Sequence, residues 1–243
     1  MGIAFRFKLI PFVATVLVVT LGIQLGNWQE RRAAQKLVLQ AKLAQGNASA
    51  PVVLDGAPLA AEAVEFRRVA VTGEFVANWP LYLDNRPSAG RSGFYLLMPF
   101  KIAGSGMHVL VARGWLPRDP ADRAKLPAYA TPSGPVTLEG MARIDAGHVM
   151  ELGKAPPLTP GIIVQNADPL QVARDSGLTM QPFLIEQAGP AKPAGDDTRM
   201  VRDWPAPALG VEKHQGYAFQ WYALSAMAVI FFVVNGFRRG KQK

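Results

Sequence analysis

The sequence predicts an α+β membrane protein, with two terminal transmembrane helices flanking a small antiparallel β barrel or sandwich that carries one or two short helices. Three observations predict it. Two long uncharged apolar runs, Leu9 to Leu25 and Ala218 to Phe237, stand near the two ends. Between them the hydrophobic period is mostly two, the period of a strand with one buried face. The charge is also divided: six of the 26 Lys and Arg residues are Arg6, Lys8, Arg238, Arg239, Lys241 and Lys243, whereas every acidic residue lies between Glu30 and Glu212.

At about 1.5 Å per residue the closing run measures roughly 30 Å, the thickness of a bilayer's hydrocarbon core. Trp221 and Tyr222 sit in its first turn, where amphipathic rings anchor at the headgroups, and four basic residues follow its far end. The opening run is preceded by Arg6 and Lys8 and followed by Trp28. A cleaved signal would show an Ala-x-Ala type site after the apolar core. The chain instead reads Gln24-Leu25-Gly26-Asn27-Trp28-Gln29-Glu30-Arg31-Arg32, so an uncleaved anchor is expected. No Arg-rich, Ser-rich transit sequence precedes it, and a bacterial protein is therefore expected. Basic residues at the outer end of each run put both termini in the cytoplasm and the intervening domain in the periplasm, two passes through the inner (cell) membrane. Arg31 and Arg32 oppose this orientation, but Glu30 stands beside them and the basic tail outweighs them. The expected layout is a cytoplasmic N-terminus at 1–8, a span at 9–27, a helical stalk at 28–47, a periplasmic β-rich domain at 48–217, a span at 218–237 and a basic cytoplasmic tail at 238–243.

The formal net charge of +8 invites a nucleic-acid reading. Without the six terminal cations the interior holds 20 basic against 18 acidic residues, which is positive-inside patterning and no nucleic-acid footprint. There is no cysteine, so disulfides, thiol nucleophiles and thiolate copper sites are excluded.

Strong helix formers from Trp28 to about Gln45 place Ala33, Leu37, Ala41 and Ala44 on one face, with Gly46-Asn47 as a stop. Ala48 to Ala63 reads as a partly ordered connection. Strands are expected at Phe66 to Val76, Pro80 to Leu83, Phe94 to Ile102, His108 to Leu116, Val136 to Ile144, Ile162 to Gln165 and Pro182 to Glu186. Ala103-Gly104-Ser105-Gly106 is a hairpin turn. Asp168 as N-cap, Pro169 at the first position and Gly177 after the end mark a short helix. Prolines 190, 193, 205 and 207 make Ala188 to Leu209 an irregular return segment.

Chemistry is sparse. His108 and His148 have no nearby histidine or carboxylate of a zinc motif, His-Glu-x-x-His and Gly-x-Ser-x-Gly are absent, and Gly90-Arg91-Ser92-Gly93 reads as a turn, not a phosphate loop. Acidic residues are scattered singly, so no acid/base pair is proposed and no enzyme is expected. Arg113-Gly114-Trp115 admits two readings: a strand end with Trp on the core and Arg on a carboxylate, or a guanidinium clamp for a propionate or lipid phosphate. His214 likewise is either a structural interfacial histidine or a neutral imidazole able to ligate haem iron, with Tyr217, Phe219, Trp221 and Tyr222 nearby.

Four blocks resemble the Surfeit locus protein 1 family of cytochrome c oxidase assembly factors. They are Leu25 to Arg32; Val71-Thr72-Gly73-Glu74-Phe75 with Gly90 to Tyr95 and Met98-Pro99-Phe100; Val111-Ala112-Arg113-Gly114-Trp115-Leu116-Pro117; and His214-Gln215-Gly216-Tyr217-Ala218-Phe219-Gln220-Trp221-Tyr222. Gln215 and Gln220 stand where the family commonly has Leu and Thr. The resemblance implies a non-catalytic role in delivering haem a to, or stabilising it in, oxidase subunit I. It implies His214 as haem contact and candidate iron ligand, Tyr217 and Trp221 beside it, and Arg113 and Trp115 as further cofactor positions. It also implies subunit I, the haem a synthase and the bilayer as partners. The alternatives are a haem-free periplasmic scaffold for oxidase subunits and, more distantly, a membrane-tethered enzyme of unknown reaction.

Overall fold

In chain order the elements are β1 (Ala4–Phe5), α1 (Leu9–Ala48), β2 (Val52–Leu54), α2 (Ala61–Val64), β3 (Arg68–Phe75), β4 (Leu81–Leu83), β5 (Gly93–Ile102), β6 (His108–Pro117), β7 (Val136–Arg143), β8 (Ile163–Val164), α3 (Pro169–Ser176), β9 (Met180–Gln187), α4 (Val211–Gly236) and β10 (Phe237–Arg238). This is a computed structural model, and it describes residues 4, 5, 7–122, 124–150, 153, 155–193, 195–207 and 209–238. Arg6, Arg239, Lys241 and Lys243, which carry part of the orientation argument, lie outside the described residues. The chain divides into a helical unit, Met1–Lys42 with Pro207–Lys243, and a β unit, Leu43–Ala206.

The β unit is a closed ring of five strands in the order β3, β7, β9, β6, β5 and back to β3, the last joint made by Gly73 to Phe75 on Phe100 to Ile102. Closure leaves these five strands no free edge. β2 extends β3, while β4 and β8 extend the first half of β5. Alternate residues of the ring fill its interior, among them Val69, Val71, Met98, Phe100, Val109, Val111, Leu138, Phe183 and Ile185. The outward residues of β5, β6 and β9, including Leu97, Leu110, Ala112, Trp115 and Leu184, are buried as well, packed with Leu158, Ala167 and Val172. Burial on both faces is why these strands read as continuous apolar runs rather than clean alternation.

Four findings differ from the sequence-based expectations. The sheet is not wholly antiparallel: β2–β3, β4–β8 and β6–β9 are parallel. The long crossover through β7 and α3 makes the β6–β9 pairing accessible. The connection after α1 is ordered, because Val52 to Leu54 adds an edge to β3 and α2 buries Ala61 and Val64 in the core. Gly46 is not a stop; it is helical, and an added Cβ would lie 1.8 Å from the Phe66 carbonyl oxygen, so the missing side chain admits a close approach. Finally, α4 starts at Val211 rather than at the apolar boundary, after the Pro205 to Gly210 stretch ends the return segment, so His214 and Tyr217 are helical. The short helix α3 has the expected cap: the Asp168 carboxylate accepts from the Gln171 N–H at 2.8 Å, and Gly177 is left-handed.

In the helical unit α1 and α4 run antiparallel along a seam. The seam runs through shielded positions 15, 19, 22, 26, 29 and 33 on α1, and 211, 214, 218, 221, 225, 228 and 232 on α4. Both sets alternate steps of three and four, the period of a coiled-coil seam. Small residues let the backbones close: a Cβ on Gly22 would stand 2.1 Å from Ser225 Oγ, and one on Gly26 would stand 2.4 Å from the Tyr222 ring. The Tyr222 hydroxyl donates to Asn27 Oδ1 at 2.8 Å. Phe5, Phe7, Phe12 and Phe232 cluster at the other end. Both helices are long and apolar enough to cross a membrane, and only 11% of each apolar window is buried within the protein. A core helix of a soluble domain would be mostly covered; these faces are left for an apolar surrounding.

Candidate functional site

The sequence singled out two groups of residues, and the structure assigns them to different units. Arg113 and Trp115 belong to the β unit. β6 carries a bulge: Leu96 opposes Gly114 and Leu97 opposes Ala112, leaving Arg113 as the extra residue. Gly114 completes it with φ 154°, and a Cβ there would lie 2.7 Å from that of Met200. Arg113 continues the inward face of Val109 and Val111, with an exposure of 0%, and the bulge after it moves Trp115 to the outward face with Leu110 and Ala112. Its guanidinium donates to Thr131 Oγ1 at 2.6 Å, the Ala130 carbonyl at 2.8 Å and Asp196 Oδ1 at 2.5 Å, and lies 4.4 Å from the centre of the Phe75 ring.

Asp196 is the hub of this network. Its enclosed carboxylate also accepts from Gln187 Nε2, Arg202 and the backbone N–H groups of Ala191 and Asp197. Burial alone would push its carboxyl up, but the Ala191 N–H, Arg113 and Gln187 outweigh that and hold it below the usual range. Next to it the Arg199 hydrogen bond lowers Asp197 against a smaller opposing burial effect. Trp115 donates its indole N–H to the Arg86 carbonyl at 2.6 Å. Arg113 and Trp115 therefore hold the barrel and its return segment together: the guanidinium faces the chain's own acceptors.

His214, Tyr217 and Trp221 belong to the helical unit, on α4 at steps of three and four. His214 and Trp221 are half-buried in the seam, while Tyr217 is exposed. His214 Nδ1 lies 2.7 Å from Gln29 Oε1. An amide oxygen only accepts, so Nδ1 carries the proton in the neutral ring and Nε2 keeps its lone pair. No described residue bonds Nε2. No group of three or more His, Asp or Glu that could hold a metal ion occurs among the described residues. What the arrangement offers chemically is one imidazole nitrogen whose lone pair is not taken up by a described residue.

Sequence reasoning missed Gln29, Asn27 and Asp196 as partners. For Gln29 the available signal was the three-and-four period that it shares with Gly22, Gly26 and Ala33; Asn27 stands off that period. Asp196 lies in the irregular segment, where no period exists to reveal its burial.

Two terminal helices of membrane-span length, a closed β barrel whose ionisable cluster is spent on its own core, and a histidine bonded across the helix seam define a class: a β-barrel protein with an apolar helical hairpin. The SURF1 family model matches residues 16–226, and the chain belongs to the SURF1 family. It is 27% identical to Surfeit locus protein 1 of Mus musculus over 228 residues, covering 83% of this chain and 68% of that protein. It is 32% identical to a SURF1-like protein of Rickettsia felis over 105 residues, 42% of this chain and 45% of that one. A shorter match, 34% over 94 residues, joins 38% of this chain to 24% of the cytochrome oxidase assembly protein SHY1 of Saccharomyces cerevisiae.

Proposed function

We propose that the protein serves the assembly of a haem-copper cytochrome oxidase, and that His214 holds haem a for delivery to, or retention in, subunit I. The observation that carries the reading is the imidazole fixed by Gln29 with Nε2 unpartnered, together with a relative named as a cytochrome oxidase assembly protein. Haem a, when bound, supplies the iron that Nε2 coordinates. The chain's own residues supply the rest. The seam between α1 and α4 fixes the ring, and Tyr217 and Trp221, one and two turns on, offer aromatic surface to a flat apolar group. Open space at Gly216, where a Cβ would meet nothing within 4 Å, leaves the α4 backbone approachable beside His214. Arg113 and Trp115 act in this reading by stabilising the barrel.

In the same reading α1 and α4 span a bacterial inner membrane, both termini are cytoplasmic and the β unit is periplasmic, where it meets subunit I and the haem a synthase. The test is genetic and biochemical together. Cells that make haem a, deprived of this chain, should lose oxidase activity and accumulate subunit I without its full haem a. Normal activity with fully loaded subunit I would refute the assembly role. Co-purification with subunit I and no Soret band on the isolated protein would instead leave the haem-free scaffold.

A further inference from the structure

Gln29 occupies a seam position of α1 where the neighbouring seam residues, Gly22, Gly26 and Ala33, are small or apolar. It is 9% exposed, so its amide is withdrawn from solvent, and a buried amide without a partner would cost stability. Its oxygen meets His214 Nδ1 at 2.7 Å, a short bond between a residue on one helix and a histidine on the other. An amide at an apolar seam can have a purely architectural purpose, setting the register of two helices. Here the register is already set by the small-residue contacts of Gly22 with Ser225 and Gly26 with Tyr222, and by the Tyr222 to Asn27 hydrogen bond. With its oxygen turned toward His214, the Gln29 amide adds something those contacts lack, an acceptor that favours the tautomer protonated at Nδ1.

We infer that Gln29 is a positioning residue for His214: by accepting the Nδ1 proton it selects the tautomer whose Nε2 is free to ligate a metal, and it fixes the plane of the ring. Histidine ligands gain orientation and basicity from such a partner, and losing it typically lowers metal affinity roughly 10- to 100-fold. The inference rests on the reading of His214 as a haem ligand, but half of its test does not use haem.

The test uses the full chain in detergent, as wild type, Gln29→Leu and Gln29→Glu, each with ¹⁵N-labelled histidine. A disulfide between Gly22→Cys and Ser225→Cys, introduced into each background, reports whether the hairpin keeps its register. Nitrogen shifts of His214 in the haem-free protein read the tautomer, and titration with haem a reads affinity. The expected result is the Nδ1–H form in wild type and Gln29→Glu, and a mixture of tautomers in Gln29→Leu. Haem affinity should fall roughly 10- to 100-fold in Gln29→Leu and return in Gln29→Glu, with the disulfide forming in all three. An unchanged tautomer in Gln29→Leu overturns the inference, as does lost disulfide yield with no change of tautomer, which is what a register role alone gives. If wild type binds no haem while the tautomer still follows residue 29, the ligand reading fails and the positioning of the ring stands.

Discussion

Replacing Asp196 by alanine removes the counterion shared by Arg113 and Arg202, whose side chains are 0% and 7% exposed, and leaves two enclosed guanidinium groups without their ion-paired carboxylate. Removing one partner of a buried ion pair typically costs about 3–5 kcal/mol, because the surviving charge stays desolvated. For a domain of this size about 1 kcal/mol moves the melting temperature by roughly 2–4 °C, so Asp196→Ala should lower it by about 6–20 °C. Arg113→Met should cost less, about 1–3 kcal/mol, because Asp196 keeps Arg202, Gln187 and two backbone N–H groups and the Met chain refills much of the space. The order of the two variants is the sharper claim. Thermal unfolding of the detergent-solubilised chain, followed by near-ultraviolet circular dichroism from the buried Trp115 and the partly buried Trp79 and Trp204, measures both. Arg113→Met as damaging as Asp196→Ala, or a loss below about 2 °C for the latter, would refute the assignment of Asp196 as hub.

Acid should act on the same network. Asp196 and Asp197 are held below their unfolded value of about 3.9, so their stabilisation is fully present above it and is lost as pH falls. The gap in melting temperature between wild type and Asp196→Ala should therefore narrow below about pH 4, and a gap that persists at lower pH would contradict the account. Glu186 is the opposite case: burial, only partly offset by Arg143 at 4.0 Å, raises its carboxyl, so the ionised form destabilises the fold at neutral pH. Glu186→Gln should raise the melting temperature at pH 7, with the gain vanishing in acid. Ala89 sits at φ 48° before Gly90 at φ 75° in the turn from Ser88 to Arg91, a conformation favouring Asn-Gly. Ala89→Asn should add about 0.5–1 kcal/mol in chemical denaturation. In a chain without cysteine, Gly22→Cys with Ser225→Cys should form an intramolecular disulfide on oxidation, visible as a reducible gel shift, since the two Cβ atoms would stand 3.5 Å apart. No bridge would mean that the helical register is wrong.

The strands from β3 to β9 were legible as short β-branched, Leu and aromatic runs with Gly or Pro punctuation, whereas the three residues of β2 were not, and the α3 cap was legible because Asp168, Pro169 and Gly177 each have a local reason to be there. A barrel or sandwich was legible from the number of short strands, but the pair that closes the barrel was not, since joining Gly73 to Phe75 with Phe100 to Ile102 depends on strand tilt and on the β5 residues left free by β4, neither of which a local pattern encodes. The Arg113 readings were both visible, but the choice between them needed Asp196, 83 residues away in a segment without periodicity. His214 shows the same limit in sharper form. The chemistry of an imidazole at the head of an apolar helix was apparent, yet its tautomer is set by Gln29, 185 residues earlier, and only the helix seam brings the two together.

The central claim is that His214 holds haem, and it is tested most directly by the absorption spectrum of the full chain purified from cells that make haem a. The account predicts a Soret band with haem a on the wild-type protein and its loss in a folded His214→Ala variant. Equal haem content in the two proteins would remove His214 as the ligand.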